Sequence, residues 1–221
     1  MKVAMHQPDF LPYTGFFYKI LKADVFDIAV HDQFVKDGYQ RRVKFNDRWV
    51  NVAIIDRKKI PQKTAIEDVK VDTQKTKENI LKAMDIEYGD FPRCKPLQAK
   101  LKNYMENLPD IMNLADFNIS LIIFVLAFMG VDDKVKLTVT PKPTKPKSFG
   151  IIENMKKYFP EYDTYLSGTG GKAYTGNEFE ENGLKIEYSK HSPLHNDSII
   201  GTLVRFSDPV RIIMREKLEQ S

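Results

Sequence analysis

The chain opens on a short apolar run, Lys2–Met5, that breaks into His6-Gln7-Pro8 and then takes up helical spacing from Thr14 to Lys22. The first pattern predicts a buried strand. In the second, Phe16, Phe17 and Ile20 fall on one side of a helix that Thr14 would cap. Val25–Val30 is apolar and β-branched apart from Asp27, which predicts a second strand. Strand, helix and strand in this order make a right-handed βαβ unit with parallel strands. His6 and Gln7 then follow the first strand as His31, Asp32 and Gln33 follow the second, so both groups leave the sheet at one edge. In open α/β sheets ligands bind at that edge.

Farther on, Gln40–Phe45 and Trp49–Ile55 alternate across Asn46-Asp47-Arg48, the pattern of an antiparallel hairpin. Ile66–Val71 predicts another strand. Helical spacing runs from Lys75 to Met84, pauses over Gly89–Pro96 and resumes to Met105. The apolar stretch Ile119–Val131 is shorter than the roughly 20 residues that span a bilayer, so it predicts a buried helix. Leu137–Val139 predicts a strand, and Pro141–Lys147 is too proline-rich for a helix or a central strand. That basic segment reads as an extended connection, a mobile lid. A helix at Phe149–Tyr158, a glycine-rich turn, a strand at Leu184–Tyr188 and a helix at Pro209–Glu219 complete the pattern. The whole predicts one α/β domain over 1–221, with a parallel βαβ start, an added antiparallel hairpin and a helical insertion over 75–131.

Composition narrows the class. A chain of 221 residues can bury a sizeable core, and its 42% hydrophobic and 29% charged content is ordinary for a globular protein. One cysteine, Cys94, excludes an internal disulfide framework and fits a reducing compartment. With no signal-peptide pattern after Met1, the expected location is cytoplasmic. The net charge of +4 is mild, with basic residues gathered at Arg41-Arg42-Val43-Lys44, Arg57-Lys58-Lys59 and Lys142–Lys147. Nucleic-acid binders and lysine-rich globular proteins share such clusters. The expected partner is a small anionic molecule; nucleic acid is possible and no membrane span is expected.

His6 is the first candidate for chemistry, since an imidazole near a strand end can act as general acid or base. Asp32 would orient it, with His31 alongside, but no serine or cysteine nucleophile accompanies them. Gln7 and Gln33 offer amides to a polar ligand. The bland alternative makes His6 a brace for the turn between Pro8 and Pro12. A metal set of His6, His31 and Asp32 lacks any zinc spacing, and Pro193 keeps His191 and His195 off one helix face. No metal is expected and no motif names a cofactor. Strand alternation puts Arg42 and Lys44 on one face and Arg41 on the other, either to hold a phosphate or carboxylate or to protect a strand edge. Ser167-Gly168-Thr169-Gly170-Gly171-Lys172 has free amides that can cradle an anion. It is neither a Walker A loop nor, because no early strand precedes it, a dinucleotide fingerprint. A tight turn requiring positive φ is the competing explanation.

The run from His6-Gln7-Pro8 through Phe10-Leu11-Pro12 to Gly15-Phe16-Phe17-Tyr18-Lys19-Ile20 resembles the start of the WbqC-like family of bacterial proteins. Val30–Phe34, Tyr39–Lys44 and Tyr165–Tyr174 resemble later family segments in order and character. Relatives often carry an acidic residue where this chain has His31, and an Asn within the Gln-Arg segment. The resemblance implies a link to surface polysaccharide biosynthesis. Together these readings predict an intracellular transferase that moves an acyl or aminoacyl group on an activated sugar or similar phosphorylated substrate. The alternatives are an enzyme modifying nucleotides or hypermodified bases in DNA, and a non-catalytic binding protein.

Overall fold

Alternation along the first strand sets the architecture: Val3 and Met5 point to one side of a sheet and Ala4 to the other. A computed structural model describes residues 1–173 and 175–217. The first half contains β1 (Lys2–His6), α1 (Thr14–Lys22), β2 (Val25–Ile28), β3 (Arg42–Phe45), β4 (Arg48–Asn51), β5 (Lys70–Asp72), α2 (Thr73–Tyr88) and α3 (Cys94–Glu106). Then come β6 (Ile111–Asn113), α4 (Leu114–Met129), β7 (Leu137–Thr138), α5 (Lys147–Tyr158), β8 (Thr164–Ser167), α6 (Glu178–Glu181), β9 (Lys185–Tyr188), α7 (Ile199–Arg205) and α8 (Pro209–Ile213).

Strands β7, β2, β1, β8 and β9 lie side by side in that order, each neighbouring pair parallel. The chain therefore winds outward from β1 through β2 to β7, then returns to the other flank of β1. Winding reverses between β1 and β8. Ala4, Phe26, Ile28 and Leu166 face a core shared with α1 to α4 and α7. Val3, Met5, Val25 and Tyr165 face α5 and α6 through Ile152, Met155 and Phe179. Covering both faces lets very short strands hold, because each fully buried large apolar side chain contributes roughly 1.5–3 kcal/mol.

The hairpin forms as β3 and β4, in the register Arg42↔Asn51 to Phe45↔Arg48, and β5 pairs antiparallel with β6. Four expectations are corrected. Ile66–Val71 divides into a 3-10 turn at Ile66–Asp68 and the start of β5. Thr14 is not a cap: Tyr13 holds that position without a side-chain bond, and Thr14 Oγ1 pairs with His191 Nε2 at 2.8 Å. A strand, β8, runs into the glycine turn where none was expected; only Tyr165 and Leu166 in it are apolar, so no alternation shows. The lid is tied down, because Glu153 accepts hydrogen bonds from the backbone of Thr144 and Lys145 and from Thr144 Oγ1. α8 ends at Ile213; the last residues of the helix expected there, Leu218 and Glu219, lie outside the described residues. Among the described residues no helix is long and apolar enough to cross a membrane.

Candidate functional site

β1 ends at His6 because Pro8 cannot continue a strand ladder. Asn118, buried on α4, fixes the turn that follows: its Nδ2 donates to the carbonyl oxygens of Pro8 and Gln40, each at 2.8 Å. Gln40 Nε2 donates to Gln7 Oε1 at 2.7 Å, which turns Gln7 Nε2 toward Asp9 Oδ1 at 3.0 Å. His6 Nδ1 lies 3.0 Å from the Gln7 carbonyl oxygen. A carbonyl can only accept, so Nδ1 carries the proton and Nε2 is left as an acceptor. Asp9 Oδ2 stands 3.7 Å from the same Nδ1.

Two cavities open on the C-terminal edge of the sheet, and His6 lines both. The larger, about 580 Å³, lies on the α5 side and is lined by Lys63, Lys142, Lys145 and Lys147 together with His31, Asp32 and Gln33. The smaller, about 360 Å³, lies at the start of α1, between Lys19, Asp9, His191 and the Gly168–Gly170 turn. This edge, where winding reverses, is the place where doubly wound sheets bind ligands.

Burial governs the charges here. It pushes the Asp9 carboxyl up to about 7, with the Gln7 hydrogen bond and Lys19 pulling the other way. It draws the Lys19 ammonium down to about 8, against the pull of Asp9. Burial, helped by Lys19 and opposed by the Gln7 carbonyl, holds the His6 imidazole well below its ordinary value, so it is neutral at physiological pH. Asp27, fully buried at the floor of the larger cavity, is also raised by burial. Its oxygens accept from Thr138 Oγ1, Thr140 N and Thr140 Oγ1 at 3.0, 2.9 and 2.6 Å.

The expected site residues divide between the cleft and the hairpin. His6, Gln7, His31, Asp32 and Gln33 share the larger cavity, and Gly168 and Gly170 share the smaller with His6. Ser167 is fully buried at the end of β8, with no hydrogen-bond partner for Oγ among the described residues. Gly171 bonds back to Gly168, and Lys172 lies over the Tyr188 ring. Asp32 is not the carboxylate nearest His6: that is Asp9, while burial pushes the Asp32 carboxyl up against the pull of His31 and Lys142. Arg41, Arg42 and Lys44 line neither cavity. Arg41, Arg42 and Arg57 all approach Asp37, at 3.5, 3.5 and 3.1 Å. Arg42 and Lys44 also share one face over the Trp49 ring, as alternation requires. Among the described residues no three His, Cys, Asp or Glu side chains gather as a metal ion would need.

Sequence reasoning missed Asp9, Lys19 and the role of the Lys142–Lys147 segment. For Lys19 the signal was present, since it stands three residues after Phe16 and so on the apolar side of α1. A family model for the WbqC-like protein family matches residues 7–196, a span that includes both cavities' glycine and lysine segments. No curated protein and no solved structure matches the chain.

Proposed function

This chain belongs to the WbqC-like protein family, and from that premise and the cleft around His6 we propose an intracellular transferase acting on a small phosphorylated substrate. The substrate class is an activated sugar of surface polysaccharide assembly, and the transferred unit is an acyl or aminoacyl group. One observation carries this reading: His6 faces two cavities at once, and the larger is lined by four lysines. Four ammonium groups suit the several charges of a phosphate or diphosphate. The sugar's own amine or hydroxyl attacks the carbonyl carbon of an acyl or aminoacyl adenylate and gives its proton to His6 Nε2. The bond from that carbon to the adenylate phosphate oxygen breaks, AMP leaves with the electron pair, and the lysines stabilise the charge that develops on its phosphate. Burial leaves His6 a weak base, so Asp9, 3.7 Å from Nδ1 and ionised above about 7, has to stabilise the transient imidazolium, the role that Asp32 was expected to fill.

The test incubates the protein with nucleotide sugars, with ATP and amino acids, and with acyl-CoA, and reads transferred mass by mass spectrometry. A ligand held at a hundredfold excess over Kd stabilises the native state by about 2.7 kcal/mol, enough to rank these compounds by thermal shift. The expected result is a shift with a phosphorylated compound, and turnover that disappears in His6→Ala while the shift remains. A shift with DNA alone moves the assignment to modification of nucleotides or bases. A shift without turnover in any mixture leaves a binding protein.

A further inference from the structure

We infer that the smaller cavity is a second ligand site, which takes the carboxylate of a small organic acid between Lys19, the first turn of α1 and the Gly168–Gly170 loop. Lys19 is only 5% exposed, yet among the described residues its Nζ has no hydrogen bond and no ion pair within 4 Å; it stands 5.8 Å from the Phe26 ring, and Asp9 acts on it only through space. A buried ammonium that no carboxylate touches directly is costly to keep, and the nearby Asp9 carboxyl, itself pushed up to about 7, offsets that cost only in part. Its side chain lines the cavity. So does the start of α1, a nine-residue helix that begins at Thr14 with no side-chain cap and so presents its positive end.

The glycines supply an independent observation. Neither Gly168 nor Gly170 has positive φ, and a Cβ built on either meets nothing within 4 Å. Backbone geometry and packing therefore do not impose glycine at these positions. What the missing side chains leave is open cavity and accessible backbone beside Lys19. Charge matching selects the ligand: one ammonium suits a single carboxylate, whereas the four-lysine cavity suits phosphate. The groups facing Lys19 are His6 and Asp9 from the β1–α1 turn, Tyr13 at the head of α1, and His191 and His195 from the segment before α7. Protonation of Asp9 and of Lys19 both favour an anion, so binding weakens as pH rises from 6 to 9.

The role of this site as the second substrate's seat rests on the transferase reading, but occupancy is measurable without turnover. Reductive methylation of the whole protein, resolved by peptide mass spectrometry, reads the accessibility of Lys19 against the exposed Lys95. Benzoate, benzamide and inorganic phosphate serve as ligands at equal millimolar concentration. Benzoate at ten times its Kd slows methylation of Lys19 about tenfold and leaves Lys95 unchanged, and benzamide has no effect. Equal rates with benzoate and benzamide, or protection by phosphate alone, overturn the assignment. Lys19→Met removes a buried charge and keeps the side-chain length, so it folds. It loses the thermal shift with benzoate and keeps that with a nucleoside diphosphate. A persistent benzoate shift in that variant also overturns the inference. Failure of benzoate while the nucleoside diphosphate still binds leaves the transferase reading standing; the converse removes that reading and spares this site.

Discussion

Asp9 and Lys19 show how a single residue can be readable in kind and unreadable in use. A lysine on an apolar helix face is visible in the sequence, but its lack of an ion pair depends on where Asp9 lands after a turn of irregular backbone. That turn is set by Asn118, far away in the chain, whose amide binds Pro8 and Gln40. The pair makes a sharp prediction about pH. The native state holds Asp9 at about 7 against an ordinary value of 3.8, so between these limits it binds more protons there than the unfolded chain does. Stability from this group is therefore present at low pH and lost as pH rises. His6 is shifted the opposite way and opposes that trend, so the wild type alone would show little. Comparison with Asp9→Asn isolates it, because asparagine keeps an oxygen for Gln7 Nε2. Urea titrations from pH 4 to 7 should find the variant gaining on wild type by up to about 1.4 kcal/mol per pH unit. A difference that stays flat across that range would mean that Asp9 titrates normally.

Among the elements, βαβ and the hairpin were legible because each spans enough residues to show its period and ends on clear turn chemistry. β8 was not, because only Tyr165 and Leu166 in it are apolar and the glycine turn follows at once, and with it went the reversal that places that turn beside His6. The turn and the lysine segment reached the cleft for different reasons, which two glycine substitutions separate. At Gly150, on α5, an added Cβ would stand 2.5 Å from the Lys145 carbonyl oxygen and 2.9 Å from Pro143 Cγ. The helix cannot accept it without pushing the lysine segment outward. Gly150→Ala should lose about 1–3 kcal/mol in a denaturant titration and weaken binding of a nucleoside diphosphate. Gly170→Ala meets no atom within 4 Å, so its stability should stay level or rise by up to about 1 kcal/mol. Its benzoate affinity, read by calorimetry, should fall nonetheless. A variant that unfolds more readily and binds benzoate normally would make Gly170 a purely structural residue.

At the scale of the whole molecule, charge is distributed in a way that composition conceals. The basic clusters looked equivalent in the sequence, yet only one of them faces the cleft. Arg41, Arg42 and Arg57 spend their charge around Asp37, whereas Lys142, Lys145 and Lys147 converge with Lys63 on the larger cavity. Nothing local distinguishes the two sets; the difference arises because β7 ends beside β2 and the chain must cross the sheet edge to enter α5. The sheet's winding thus carries a basic connection over the strand ends, where a phosphorylated ligand would sit. Replacing Lys142, Lys145 and Lys147 together by Gln should weaken binding of a nucleoside diphosphate at least about tenfold at low salt. One unit-charge pair at 4 Å gives about 1 kcal/mol in water and about 4 kcal/mol near a protein surface. Added salt should narrow the gap between variant and wild type, because these lysines are open to solvent and screened by it. The corresponding change of Arg41, Arg42 and Lys44 should leave that affinity unaltered. If instead the hairpin variant loses the ligand and the lysine variant keeps it, the anion binds at the β3–β4 face and His6 is not at the centre of the site.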